Sequence, residues 1–344
     1  MCGITALVGP GATPGPLRLM TALQGHRGPD ASAIWYDPAA PAGLGHARLA
    51  ILDLTDAAAQ PMCDASGRWH VAFNGEIYNY RELRDALAGY PFRGTGDTEV
   101  LVAAWAKWGP ACLDRLVGMF AFVVWDAETR TLHAVRDRFG VKPLYYRLEG
   151  GRLHVASELT PLLAVAPGCA PDPVTWATYL VHGVHDHGAR TFWSGISALP
   201  AGHHLVWRDG TVRTHAWYDV ADQRLGDVDV RDDTTVEEER RALLVDAVRL
   251  RFRADVPVGI ALSGGLDSSL LLALVHEVRG ADGAVAAFTF TTGDERYDEL
   301  PWVRSMLAAT PHPLVECRLD VADAPPLPEA VHAVPREPFG GIPT

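Results

Sequence analysis

The sequence predicts two folds in series: antiparallel β-sheets with helices packed on them, then an α/β domain built on a parallel sheet. Two observations carry this. Over the first 160 residues, short apolar or alternating runs bounded by Gly, Asp and Pro follow one another through short connections, the pattern of antiparallel sheets. From about residue 234 the order becomes helix, strand, helix, strand, which builds a parallel sheet.

Taken in order, Ile4–Val8, Trp69–Phe73, Met119–Trp125, Thr131–Arg136 and Leu153–Ala156 read as strands. Arg81–Ala88 and Thr98–Lys107 carry apolar residues at helical spacing, with Trp105 and Trp108 as packing residues. Residues 161–233 are richer in Pro, His and Gly and end in the charged run Asp227–Asp233, so they read as a bridge and linker. The expected domains are therefore 2–160 and 234–344. Thr234 and Glu237 make a capping box ahead of a helix to Phe252, whose run Glu237–Arg241 is its wet face. Strand Val258–Leu262, helix Ser268–Val278, strand Ala284–Phe290, helix Tyr297–Ala309 and strand Leu314–Leu319 follow.

Hydrophobic residues make up 48% of the 344, enough for packed cores and against disorder. Asp and Glu outnumber Lys and Arg by 42 to 30, which disfavours nucleic acid and anionic membrane surfaces as partners. No apolar run approaches the ~20 residues that span a bilayer, and the N-terminus lacks signal-peptide character. A cytoplasmic protein is the expectation. Five widely spaced cysteines without a Cys-x-x-Cys pair argue against a zinc site or disulfide framework.

Cys2 stands apart by position. Removal of Met1 would leave a thiol and an α-amine on one residue, and an α-amine with a pKa near ~7.7–8.0 is partly neutral at physiological pH. Such a residue can serve as nucleophile with its own amine as base. Arg27-Gly28-Pro29-Asp30, Gly45-His46-Ala47-Arg48-Leu49, Gln60-Pro61-Met62, Asn74-Gly75-Glu76-Ile77-Tyr78-Asn79 and Gly96-Asp97-Thr98-Glu99 follow. Singly, Asn-Gly reads as a hairpin turn. Together they offer an Arg for a carboxylate, an Asp for an ammonium, and an Asn side chain with a Gly N–H for an oxyanion.

With Gly118–Phe122 and Arg136–Tyr146, these motifs resemble the class II glutamine amidotransferases, and more narrowly the glutamine-hydrolysing asparagine synthetases. The resemblance covers essentially the whole chain. It implies an α+β sandwich of the N-terminal nucleophile hydrolase type, followed by an incomplete α/β ATP pyrophosphatase domain. By motif position, Cys2 would attack the glutamine amide and Asn74 and Gly75 would form the oxyanion hole. Arg48 and Asp97 would hold the α-carboxylate and α-ammonium, with Leu49, Ala50, Ile51, Leu52 and Glu76 lining the pocket.

Leu262-Ser263-Gly264-Gly265-Leu266-Asp267-Ser268-Ser269 joins a buried strand to a helix, where glycines and N–H groups can cradle phosphate. It lacks the Walker spacing and resembles the pyrophosphate loop of ATP pyrophosphatases. That resemblance implies Ser263, Gly264, Gly265, Asp267 and Ser268 as pyrophosphate ligands, Asp267 beside Mg2+, and Leu262 and Phe290 against ATP. The reaction implied is adenylation of the aspartate β-carboxylate by ATP, then attack by ammonia from glutamine.

The family continues past this sequence, which ends at Glu337–Thr344. The expectation is a chain unable to complete synthesis alone, as a homodimer or with a separate chain supplying the C-terminal part. Two other readings stand beside this one. β-Lactam synthetases adenylate a carboxylate for ring closure on the same fold, but that branch lacks the nucleophile that Cys2 offers. The other is a non-synthetic remnant that binds glutamine or a partner. His182, His185, His187, His203 and His204 lack metal-ligand spacing and read as a solvated loop.

Overall fold

An uncharged run, Gly-Ile-Thr-Ala-Leu-Val, forms strand β1 (Gly3–Val8), every residue of which is buried. The computed structural model describes residues 1–165, 168–185, 188–222, 228–280, 283–294, 296–318 and 337–338. They fall into two compact units, described over 1–222 and 228–318.

In the first unit β1 is a central strand. It pairs antiparallel with β3 (Ala42–Arg48) and β9 (Arg152–Ala156), and β2 (Ala31–Asp37), β8 (Tyr145–Glu149) and β10 (Ser197–Ala198) complete a six-stranded sheet. A second antiparallel sheet runs β12–β11–β7–β6–β5–β4, from Thr211–Ala216, His203–Arg208, Thr131–Arg136, Gly118–Asp126, Trp69–Ile77 and Met62–Cys63. Ile4, Ala6 and Leu44 of one sheet meet Ala72, Val123 and Trp125 of the other in one buried core. Helix α1 (Pro14–Ala22) puts Leu17 against Leu7 on the outside of the first sheet, and Met20 packs with Leu159 and Leu162 of α4 (Leu159–Val165). Beyond the second sheet, α2 (Tyr80–Ala86) and α3 (Asp97–Trp108) bury Leu83, Leu101 and Trp105 against Phe73, Phe120 and Phe122. The order of layers is helix, sheet, sheet, helix, the sandwich that the sequence leads one to expect.

Two local readings change. Asn74-Gly75 is no turn, because β5 runs straight through it: Gly75 lies opposite Phe120, and a Cβ there would stand 2.2 Å from the Met119 carbonyl oxygen. Residues 161–222, a bridge by composition, supply α5 (Pro173–His182) and strands β10 to β12 of both sheets.

The histidines of that stretch divide. His182 is exposed and His187 lies outside the described residues, but His203 and His204 sit on β11 rather than in a solvated loop. His204 is buried, 3.0 Å from His133 Nδ1 and edge-on to Trp105. Burial holds His46, His133 and His154 down to about 4 and His204, with His133 and His215 beside it, to about 3. An unfolded histidine titrates near ~6.5, so the unfolded chain binds more protons between those values. Stability is full above ~6.5 and falls as pH drops toward about 4, by several kcal/mol in total. We expect the Tm to fall by roughly 10 °C or more between pH 7.5 and 4.5; a flat Tm over that range contradicts this.

The second unit has a parallel sheet in the order β13 (Ile260–Ala261), β14 (Ala287–Thr291), β15 (Leu314–Arg318). Leu319 lies outside the described residues. Helix α6 (Asp233–Arg251) is capped by Asp232, whose carboxylate accepts the Thr235 N–H at 2.9 Å. The cap therefore falls two residues before Thr234, because an ionised carboxylate accepts that N–H more strongly than a hydroxyl does. Ile260, Leu262 and Ala287 form a core with Val248 of α6, Leu272 and Val275 of α7 (Leu266–Arg279) and Val303 of α8 (Leu300–Leu307). No helix among the described residues is long and apolar enough to cross a membrane.

Candidate active site

Cys2 precedes the central strand and is held from three sides. Its Sγ accepts the Leu49 N–H at 3.4 Å and donates to the Leu49 carbonyl at 3.6 Å. Arg27 Nε donates to the Cys2 carbonyl at 3.0 Å, and Arg27 is itself paired with Glu158 at 2.8 Å. Gly28 lies so close over β3 that a Cβ would meet the Ala47 carbonyl at 2.2 Å. Asp30 accepts the Ala50 N–H at 2.7 Å. Arg-Gly-Pro-Asp thus seats Cys2 and the segment beside it.

The thiol opens on a cavity of about 170 Å³ lined by Arg48, Leu49, Ile51, Leu52, Asn74, Gly75, Glu76 and Asp97. Ala50, expected there, does not line it, and its N–H is committed to Asp30. Arg48 donates to the Asp53 carbonyl at 2.5 Å and the Thr55 carbonyl at 3.1 Å. Two of its five donors are thereby fixed and three remain. Asp97 opens α3 and accepts the Ile77 N–H at 2.9 Å. Burial, opposed by that bond and reinforced by the charge on Glu76, raises its carboxyl to about 7.

Asn74 is buried on β5, and its Nδ2 has no hydrogen-bond partner among the described residues. A buried amide donor left unsatisfied costs roughly 1–3 kcal/mol and calls for an explanation. Burial pushes the Cys2 thiol above its usual value, with the Leu49 N–H working against it.

Further residues that line this cavity had been given no pocket role from the sequence: Met1, Ala58, Phe73, Met119 and Lys142, together with Gln60 and Thr98 of the quoted motifs. Gln60 bonds Thr98 Oγ1 at 3.2 Å and accepts the Phe73 N–H at 2.7 Å, tying α3 to β5. Lys142 stands inside the Arg136–Tyr146 motif, which was the available signal for it.

The sequence matches the glutamine amidotransferase domain family over residues 1–218. The chain belongs to that family. Residues 239–342 match the asparagine synthase family, which follows the amidotransferase domain here. Relatives of this amidotransferase include Amidase chry2 of Gibberella zeae, 36% identical over 81% of this chain and 43% of that protein. A putative glutamine-hydrolysing asparagine synthetase of Mycobacterium bovis is 35% identical over 86% and 48%. Asparagine synthetase 3 of Bacillus subtilis is 33% identical over 88% and 52%. The chain thus spans about half the length of these relatives. A solved structure titled as the allosteric regulatory enzyme of purine biosynthesis shares the fold, with TM-score 0.50 and 14% identity over 92% of this chain and 80% of that one.

In the second unit, Ser263, Gly264 and Gly265 form the turn from β13 into α7, and Asp267 and Ser268 lie in its first turn. Ser268 Oγ donates to the Ser263 carbonyl at 2.6 Å, and the Gly264 N–H goes to Glu299 at 3.0 Å. Leu262 is buried, its N–H on the Phe288 carbonyl at 2.8 Å. Phe290 is exposed on β14. The turn follows a strand's carboxyl end, where ligands of parallel sheets bind. Among the described residues no group of three or more His, Cys, Asp or Glu could hold a metal.

Proposed function

We propose that the first unit hydrolyses glutamine at Cys2 and that the second belongs to an ATP-dependent amide-forming site, as in glutamine-dependent asparagine synthesis. The observation that carries the reading is the buried Asn74 amide, without a partner among the described residues, in the cavity onto which Sγ opens. Donors prepared in advance for a developing oxyanion are the largest single contribution in many acyl transfers.

Glutamine would enter with its α-carboxylate on the remaining donors of Arg48 and its ammonium on Asp97. The Cys2 sulfur attacks the side-chain carbonyl carbon, and the oxygen of the tetrahedral intermediate takes the Asn74 Nδ2 and Gly75 N–H donors. The α-amine of a processed Cys2 accepts the thiol proton and passes it to the leaving nitrogen. Ammonia departs, a thioester remains, and water hydrolyses it to glutamate.

In the second unit Ser263, Gly264, Gly265 and Ser268 would take pyrophosphate at the N-terminus of α7, displacing Glu299 from the Gly264 N–H. Asp267 would hold Mg2+, a metal that needs only one or two carboxylates when phosphates complete its shell. Leu262 and Phe290 would flank the nucleotide. ATP supplies the AMP that turns the aspartate β-carboxylate into an electrophile for ammonia. Two relatives are named amidases rather than asparagine synthetases, so a second reading leaves the carboxyl acceptor of the ammonia open.

The test is release of glutamate and of pyrophosphate from the purified chain given glutamine, Mg-ATP and aspartate, each omitted in turn. Glutamate is expected whenever glutamine is present; its absence from the Met1-processed chain sinks the proposal for the first unit. Pyrophosphate that requires aspartate supports the synthetase reading. Pyrophosphate released when a different carboxylate is supplied in place of aspartate favours the second reading.

A further inference from the structure

Lys142 is 5% exposed, yet it lines the cavity onto which the Cys2 thiol opens. Burying an ammonium is costly, and the loop that carries it is fixed by its own hydrogen bonds. Asp137, itself buried, accepts the N–H groups of Phe139, Val141 and Lys142 at 3.1, 2.9 and 3.0 Å. Arg136 returns Nε to the Lys142 carbonyl at 2.9 Å and Nη2 to the Gly140 carbonyl at 2.8 Å. Gly140 turns through φ +66, which a glycine tolerates and a side chain resists. This is a closed loop whose side chain at position 142 is delivered to the cavity.

The charged groups facing that cavity among the described residues are Glu76, Asp97, Arg48, Lys142 and the N-terminal amine, with Arg27 behind Cys2. Arg48 is committed in part to the Asp53 and Thr55 carbonyls. Asp97 disfavours a negative charge on the sulfur and the N-terminal amine and Arg48 favour one, while Glu76 acts on Lys142. Burial lowers Lys142 from its ordinary value, while Glu76 and Cys2 oppose that shift, so its charge is coupled to both.

On the reading that Cys2 is the nucleophile for glutamine, we infer that Lys142 is the positioning cation that offsets the pocket carboxylates and sets the fraction of Cys2 present as thiolate. It acts through the sulfur rather than on the substrate. The thiolate is the reactive form, so the effect is directly measurable.

The experiment is the pH dependence of Cys2 alkylation by iodoacetamide in the full chain, followed by the mass of the N-terminal peptide so that the other four cysteines do not interfere. Lys142→Gln should raise the midpoint by about one pH unit, tenfold less thiolate at a given pH below it. Lys142→Arg should restore it, and Glu76→Gln should move it the other way. In glutamate release, Lys142→Gln should lower kcat about tenfold with KM within twofold. A folded Lys142→Gln with an unmoved midpoint, or with only KM changed, overturns the inference. If that variant does not fold, an unmoved midpoint in Glu76→Gln overturns it. A Lys142-dependent midpoint in a native chain that releases no glutamate supports this inference and defeats the hydrolysis reading. Native hydrolysis unaffected by Lys142→Gln does the reverse.

Discussion

Cys2→Ala is expected to release no glutamate from glutamine, a loss of at least ~10³-fold, while the chain stays folded. The reason lies in how little else depends on the sulfur. Its partners are the Leu49 N–H and carbonyl, at 3.4 and 3.6 Å, both long for hydrogen bonds and typical of sulfur. The strand behind it is held by other groups: Gln24 on the Ile4 carbonyl at 3.1 Å, and Ser157 Oγ accepting the Ile4 N–H at 3.0 Å. Truncation to Ala therefore removes the nucleophile and leaves the cavity, with Tm shifted by no more than a few degrees. Glutamine should still raise the Tm of the variant, since Arg48 and Asp97 are untouched. Undiminished hydrolysis in Cys2→Ala would falsify the assignment of the nucleophile.

Asp97→Asn should separate stability from function in opposite directions. The folded carboxyl titrates at about 7 against roughly 3.9 in an unfolded chain. A group with a raised folded value contributes stability below its unfolded pKa and loses it as pH rises through the folded one. At pH 8 the native chain thus carries an ionised, fully buried carboxylate that costs roughly 2–4 kcal/mol. Asn removes that charge and can still accept the Ile77 N–H, so the variant should melt at least ~5 °C higher at pH 8. The gain should vanish near pH 4, where both forms are neutral. Glutamine use should fall at least a hundredfold, because a neutral amide does not pair with an ammonium. In the native chain kcat/KM for glutamine should drop about tenfold per pH unit below about 7. A variant no more stable at pH 8, or one with unaltered KM, contradicts this account.

Much of this was legible in the residues, and what was not has definable causes. Apolar runs marked β6 and β7 because each buries apolar residues along its length. Strand β3 escaped, since Ala42-Gly43-Leu44-Gly45-His46-Ala47-Arg48 has little side-chain volume and no alternation. Its glycines are needed where α1 crosses: a Cβ on Gly45 would meet Thr21 Oγ1 at 2.1 Å. The turn reading of Asn74-Gly75 failed because the neighbouring strand, rather than local φ and ψ, requires that glycine. In the pocket, motif position found Arg48, Asn74 and Asp97, but backbone commitments were invisible. Whether the Ala50 N–H faces substrate or Asp30 is decided by a loop twenty residues away. Lys142 escaped for a related reason: a lysine in a sequence looks solvated until the fold encloses it.

The setting of β1 has a consequence for the order in which the molecule can be made. The strand that carries Cys2 is the first synthesised, yet one of its flanking partners is β9, and Ile4 is bonded to Ser157 across 153 positions of sequence. Until that much chain has emerged, β1 lacks its β9 partner and Cys2 lacks the Glu158–Arg27 pair that completes its seat. Closing so distant a contact is slow relative to local helix formation. The end that carries Cys2 therefore stays open to the enzymes that trim new chains until the sandwich closes, and only then is the Cys2 seat complete.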